Sequence, residues 1–332
     1  MRSQRSSAAR APYNTMEAKH DSVLFTETID SLELEQGDVV VDATLGGAGH
    51  FKALFEALGP EGTLVGIDAD HEAVARAQAV VDADTRTKKP TVHLIEGNFR
   101  DIERILDGIG ISKADKILFD LGWSGFQLVR GRGFSFRADE PLLMTYGNPD
   151  ENQTAADLVN SSSEEALVEI LYTFGEERFA RPIAKAIVRE RKREKIQTTA
   201  QLVSIIEKAT PGWYQHRRLH PATKTFQALR IAVNDELGAV RDGLSGALSL
   251  LNPNGRIAVI TFHSIEDRIV KGMFRDAAYA GRGSLANRKP IVPSDEELSA
   301  NPRARSAKLR VFIGGEAQSS GSALFTNHLA YV

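Results

Sequence analysis

The sequence has no cysteine among its 332 residues. Disulfides, thiolate metal sites, a cysteine nucleophile and covalent cysteine chemistry at a pyrimidine ring carbon are therefore excluded. Long apolar runs are also missing. None approaches the roughly 20 residues needed to cross a bilayer, so a soluble, cytoplasmic chain with no membrane partner is expected. A dominant charge is missing too. The formal net charge is −3, so no global basic field announces a polyanionic partner, although a sum conceals how the charges are distributed. There is no internal repeat. The first 15 residues contain no acid and are rich in Arg, Ser and Ala. A disordered tail over residues 1–19 is expected, with an organellar targeting segment as the alternative.

What is present suits one large domain or a domain carrying a smaller one. Apolar residues make up 42% of the chain and charged residues 26%, ordinary figures for a globular fold. The β-branched run Val39 to Val41 ends at Asp42 and is followed by the glycine-rich Leu45 to Gly49. His50 to Leu58 has the spacing of a helix stopped by Gly59-Pro60. Strands are predicted at Thr63–Ile67, Thr91–Ile95 and Lys116–Phe119, with a helix at His71–Val81. Short apolar runs separated by helical patterns indicate a parallel sheet built from βαβ units.

From about Phe126 to Pro221 no strand-like run occurs. Helices are predicted at Ser161–Phe174, Glu176–Arg193 and Thr198–Ala209, then one long helical pattern from Ala222 to Leu251. A fifth strand follows at Arg256–Phe262 and a sixth at Lys308–Ile313. The fold class is therefore α/β, a Rossmann-like sheet (20–127 and 222–315) interrupted by an inserted helical domain (128–221), with an unassigned tail at 316–332.

In such sheets the ligand lies beyond the carboxyl ends of the strands, at the switch point. Gly46, Gly47 and Gly49 allow a tight turn and close approach of a ligand. Asp68 closes the second strand roughly 20 residues on, where an acid binds ribose hydroxyls. The dinucleotide fingerprint fails, because Lys52 stands where its third glycine belongs. Asp42 at the loop entry opposes a pyrophosphate by like charge and tolerates a sulfonium. S-adenosylmethionine is therefore the expected cofactor, and no metal is required.

Asp120 ends the fourth strand. An exocyclic cytosine amine is a poor nucleophile, because its lone pair is delocalised into the ring. A carboxylate that accepts a hydrogen bond from the amine restores nucleophilic character, and Asp120 is the candidate catalytic residue. A bare turn cap or a cofactor contact remains open for it. The loop Gly131 to Arg137 offers Phe134, Phe136 and Arg137 to an extruded base, with Trp123 as a second stacking candidate. Core packing is the commoner fate of such aromatics.

Arg178, Arg181, Lys185, Arg189, Arg191, Lys192, Arg193 and Lys195, then His216, Arg217, Arg218, His220 and Lys224, are candidates for a phosphate-binding face. A solvated helix with internal ion pairs is the alternative. His263 is either a proton acceptor or a hydrogen-bonded structural histidine.

These residues resemble the bacterial small-subunit ribosomal RNA cytosine-N4 methyltransferases, also called the MraW family. The resemblance runs from about His20 to Val311 and rests on separated blocks. They are His20 to Leu24, Val41 to His50, Arg132 to Phe136, Gly175 to Ala180, His220 to Arg230, Phe262 to Ser264 and Asn301 to Ser306. It implies a class I methyltransferase sheet and cofactor contacts at Ala48, Gly49, His50, Asp68, Phe99, Asp120 and Gln127. It implies a decoding-region cytidine of small-subunit ribosomal RNA as target, in assembled or nearly assembled subunits. A homodimer is left open.

The chain departs from the family pattern at Ser22, Phe51, the Trp123 to Phe126 turn and Leu143. The changes beside Asp120 bear on the acceptor side. Two alternatives stay open: methylation of another amine on DNA or protein, and a non-catalytic ribosome-assembly protein that binds S-adenosylmethionine.

Overall fold

The computed structural model describes residues 22–122, 131–146 and 148–316. The predicted tail at 1–19, Trp123, Gln127 and all but the first residue of the tail at 316–332 lie outside the described residues. Among the described residues, no helix is long and apolar enough to cross a membrane.

The sheet has seven strands in the order β3-β2-β1-β4-β5-β7-β6. They are β1 (Val39–Asp42), β2 (Thr63–Asp68), β3 (Thr91–Glu96), β4 (Ala114–Asp120), β5 (Leu251–Thr261), β6 (Gly283–Leu285) and β7 (Lys308–Gly314). The first five run parallel, and β7 is antiparallel to both β5 and β6. The strand order reverses between β1 and β4, which is the switch point at which such sheets bind ligands.

The strands read as near-continuous apolar runs because both faces are covered. Alternate residues serve opposite cores. Val40, Leu64, Leu118, Ala258 and Ile260 pack with Phe51, Leu54 and Phe55 of α2 (Gly49–Ala57), with Leu32 of α1 (Phe25–Leu32), and with Ala73 and Ala77 of α3 (His71–Ala83). Val41, Val65, Ile67, Ile117, Phe119 and Val259 face the other way. They pack on Ile102 and Leu106 of α4 (Ile102–Gly108) and on a pair of helices supplied later in the chain.

The segment after β4 forms a separate helical core. It comprises α5 (Ala155–Ser161), α6 (Glu164–Gly175), α7 (Ala180–Glu190), α8 (Thr199–Ala209), the single turn α9 (Gly212–Gln215) and one face of α10 (Ala222–Asn234). Its only described strand-like feature is an isolated bridge between Pro141 and Thr198. The chain then returns to the sheet through α11 (Glu236–Leu250), and α12 (Ser264–Tyr279) and α13 (Asp295–Ala300) complete the layers. Ala222, Phe226, Ala228 and Leu229 place α10 with the helical core.

Several boundaries differ from the sequence expectation, each for a local reason. The helix expected at Ser161–Phe174 is α6, which starts at Glu164, and α5, which ends at Ser161, had not been expected. Ser163 ends the link by accepting a hydrogen bond from the Ala166 N–H, which starts α6 at Glu164. The helix expected from Glu176 begins at Ala180, because Glu176 is the left-handed cap that ends α6. The long pattern from Ala222 breaks at Asp235, with φ 46°, into α10 and α11. Strand β5 starts at Leu251 rather than Arg256, with a register shift against β4 between Ala114 and Lys116. Strand β6 has three residues, too few for a periodic signal. The strand expected sixth is therefore seventh.

Helices α6 and α10 cross at Gly175. A Cβ there would stand 2.5 Å from the Lys224 carbonyl oxygen and 3.1 Å from the Ala228 side chain. Gly175→Ala must push the two helices apart, at a cost of about 1–3 kcal/mol. The expected result is a lower denaturation midpoint with an unchanged m-value. A midpoint equal to wild type would show that the crossing is not tight.

Candidate active site

The site begins where β1 stops. Beyond Asp42 the chain crosses the carboxyl ends of the sheet, held by Ala43 N–H to the Leu118 carbonyl (2.9 Å) and Leu45 N–H to the Ile67 carbonyl (3.3 Å). Gly46 and Ala48 both take left-handed backbone angles, φ 48° and 61°. Glycine does so freely, whereas alanine carries strain of about 1–2 kcal/mol. The Gly46 N–H donates to Asp68 Oδ2 at 2.9 Å. Its carbonyl accepts from both Nε and Nη2 of Arg76, at 3.0 and 2.9 Å. The loop is thus clamped from both sides.

Three carboxylates converge here from β1, β2 and β4. Asp68 accepts a second N–H, from Asp70 at 2.8 Å. Burial still pushes it above the usual carboxylate range, against those two bonds. Asp42 is wholly buried. Its Oδ1 accepts the Thr44 N–H at 3.1 Å and its Oδ2 has no partner. Burial pushes it up to about 7, against the opposing pull of His50 and the Thr44 N–H.

Asp120 is anchored through its N–H to Thr44 Oγ1 at 2.6 Å. Its Oδ2 lies 3.5 Å from His50 Nδ1, and its buried Oδ1 has no partner. For His50, burial works to lower the pKa, but the Asp120 hydrogen bond and the charges of Asp120 and Asp42 outweigh it and hold it above the usual histidine value. The Phe25 ring stacks on His50 at 5.7 Å.

Gly49, His50, Asp68, Phe99 and Asp120 line one cleft of about 740 Å³, together with Phe134, Phe136, Arg137 and His263 from across it. Phe99 follows β3 and stands edge-on to Phe119, with ring centroids 5.6 Å apart. Ala48 is buried as the N-cap residue of α2. Lys224 does not line the cleft. Its ammonium donates to the Glu176 carbonyl at 2.7 Å and fastens the end of α6 instead. Trp123 and Gln127 lie outside the described residues.

The facing wall contains a network that sequence patterns did not reveal. Arg230 Nε stands 2.8 Å from Glu236 Oε1, and its Nη2 donates to Oε2 at 2.9 Å. The Tyr146 hydroxyl donates to Glu236 Oε1 at 2.8 Å. Burial, reinforced by Glu236, raises that hydroxyl well above its usual pKa. His263 caps α12 by accepting the Glu266 N–H, and its Nε2 lies 3.0 Å from Glu266 Oε1. Burial would raise Glu266, but His263, the Phe262 N–H and Arg230 outweigh it and hold Glu266 below its usual value.

Ligating atoms of Glu236, His263 and Glu266 fall within 4.8 Å of one another. The guanidinium of Arg230 already supplies the positive charge that pairs with Glu236. His263 and Glu266 have the three-residue spacing of a capping box, so this part of the network did leave a signal in the sequence. Arg230 and Glu236 straddle the break at Asp235, which no periodicity announces.

Phe134 and Phe136 are committed to the wall as well as lining the cleft. Phe134 stacks on Tyr146 at 5.4 Å, and Phe136 stacks on His220 at 4.7 Å. Arg137 is exposed at the rim.

The residues present fit S-adenosylmethionine. Asp120 lines the cleft, and its buried Oδ1 has no partner among the described atoms. A ligand carrying a sulfonium and an ammonium supplies the missing positive charge, whereas a pyrophosphate would add more negative charge.

Residues 17–313 match the family model described as the MraW methylase family. A protein of Deinococcus radiodurans named ribosomal RNA small subunit methyltransferase H is 47% identical over 293 residues, which cover 88% of each chain. Proteins of the same name from Syntrophotalea carbinolica and Brevibacillus brevis are 45% and 42% identical. These matches cover 88% and 90% of this chain and 96% and 98% of theirs.

Asp42 gives the site a pH signature. An acid at about 7 when folded and 3.8 when unfolded binds its proton more tightly in the folded chain. Its contribution to stability therefore falls as pH rises from about 4 to about 7 and is level above that. Asp42→Asn removes this loss. The difference in melting temperature, variant minus wild type, should be more positive at pH 8 than at pH 5. Equal differences at the two pH values would mean that Asp42 titrates normally.

Proposed function

Because the chain belongs to the MraW methylase family, we propose that it methylates the N4 amine of a cytidine in the decoding region of small-subunit ribosomal RNA. The coarser activity is methylation of ribosomal RNA with S-adenosylmethionine as donor. The finer reading is carried by Asp120, whose buried Oδ1 has no partner at the switch point of the sheet.

Bound S-adenosylmethionine supplies an electrophilic methyl group on a sulfonium. Asp68, Phe99 and the Gly46 to His50 turn are assigned to the donor: the Asp68 carboxylate to its ribose hydroxyls, the Phe99 ring to its base. His50 holds Asp120 Oδ2, which leaves Oδ1 to accept an N–H of the incoming amine. That hydrogen bond localises the nitrogen lone pair and positions it for in-line attack. With the donor bound, transfer of its methyl group to the amine nitrogen would free an amine proton, which Asp120 Oδ1 is placed to accept. His263, Phe134, Phe136 and Arg137 sit across the cleft, where the acceptor nucleotide enters.

The deciding experiment is methyl transfer from labelled S-adenosylmethionine to small subunits that lack this modification, with the product nucleoside identified by mass spectrometry. One N4-methylcytidine in the decoding region is expected. Incorporation at another atom or base would overturn the finer reading.

Asp120→Ala should abolish transfer while leaving donor affinity measurable, and Asp120→Asn should retain a trace. Unchanged turnover in Asp120→Ala would remove this residue from the mechanism. Asp68→Ala should weaken donor binding by about 1–3 kcal/mol, the cost of unpaired hydroxyl partners. Calorimetry that returns a wild-type dissociation constant would reassign Asp68 to loop structure alone.

A further inference from the structure

A second surface of the helical unit lies outside the cleft and has no part in the mechanism above. Glu177 is fully buried at the turn into α7, and Tyr214 of α9 is 5% exposed. The Tyr214 hydroxyl donates to both Glu177 oxygens, at 3.1 and 3.0 Å, and the Phe179 N–H donates to Oε1 at 2.8 Å. Burial and Glu177 push the Tyr214 hydroxyl up to about 12, so the bond persists across the physiological range. A helix of four residues cannot hold itself together. This buried bond fixes α9 against the start of α7.

What the bond presents is an aromatic and cationic face. Trp213 is 54% exposed beside Phe179, with ring centroids 5.9 Å apart. The Arg178 guanidinium lies 5.2 Å from the Trp213 centroid and 5.3 Å from that of Phe179. Arg217 lies 5.5 Å from the Tyr214 centroid. Arg181 and Lys185 continue the face along α7, one turn apart on its exposed side. Among the described residues no carboxylate forms an ion pair with any of these four cations, whereas Arg189 and Arg193 of the same region both pair with Glu190.

Unpaired guanidiniums resting on rings offer a π-face and a cationic edge together. A base and its phosphate need that pair of surfaces. An acidic protein would use the charges and leave the indole face idle.

We propose that Arg178, Trp213 and Arg217, extended by Arg181 and Lys185, form a second RNA-binding platform that holds a single-stranded segment of the substrate RNA by stacking and phosphate contact. This rests on the ribosomal RNA reading above and gives that RNA an anchor outside the cleft.

The test uses the full chain and unmodified small subunits. Trp213→Ala should raise KM for subunits roughly tenfold, as expected for one lost stacking contact, with kcat and donor affinity unchanged. Trp213→Phe should restore most of the loss. The double variant Arg178→Gln with Arg217→Gln should weaken subunit binding and flatten its log–log salt dependence by about 1.4, which is about 0.7 per phosphate contact on a single strand. The salt slope of Trp213→Ala should match wild type.

Ultraviolet irradiation of the wild-type complex should leave a nucleotide adduct on the peptide that carries Trp213. Wild-type KM in both variants overturns the platform. So does weakened binding with no nucleotide adduct on that peptide, which assigns the surface to a protein. A wild-type chain that fails to methylate subunits sinks the ribosomal RNA reading; one that methylates them while both variants match it sinks the platform alone.

Discussion

Burying like charges side by side is the constraint on which the rest of the site depends. Strands β2, β1 and β4 are neighbours in the sheet, so their parallel register delivers Asp68, Asp42 and Asp120 to one edge. Each solves the problem differently. Asp68 takes two backbone N–H groups, Asp120 leans on His50, and Asp42 keeps a proton to about pH 7. The loop conformation follows from the first solution. The Gly46 N–H must turn inward to reach Asp68, and that turn is what the left-handed angle provides. Asp68 and Asp120 remain as the two of these acids that line the cleft, and a cationic ligand complements them.

The opposite wall is organised by a buried ion pair. Tyr146 comes from the inserted segment, Arg230 from the helix that ends it, and Glu236 from the helix that returns to the sheet. Such a pair adds little net stability, because desolvation offsets the attraction, but breaking it leaves a buried charge. Its effect is therefore on position. It fixes the break at Asp235 and sets the helical unit against the sheet at the base of the cleft. Asn234 adds to this by donating to the Met144 carbonyl at 2.7 Å and accepting the Tyr146 N–H at 2.9 Å.

The parallel sheet was legible because both of its faces are buried, so that β1, β2 and β4 read as apolar runs ending in aspartates. Asp68 and Asp120 were picked out for the same reason, since strand ends mark the ligand edge, and both line the cleft. Helix boundaries in the inserted segment were less legible. Glu176 and Asp235 take left-handed caps without a glycine to signal them. Lys224 looked like a phosphate ligand by composition, but its ammonium serves the Glu176 carbonyl, a contact set by the α6–α10 crossing. The Arg230–Glu236–Tyr146 network joins residues up to 90 positions apart, and only tertiary structure brings them together.

Charge placement reconciles a net charge of −3 with the RNA substrate proposed above. Asp68 and Asp120 at the carboxyl edge of the sheet favour a cationic donor, while Arg137 and Arg303 bring positive charge to the lining of the same cleft. For the RNA substrate proposed above, Arg178, Arg181, Lys185 and Arg217 of the helical unit add exposed positive charge that no carboxylate pairs among the described residues. Local charge of both signs lets one chain hold a cation and a polyanion within reach of each other, which a uniformly basic or acidic protein would not do.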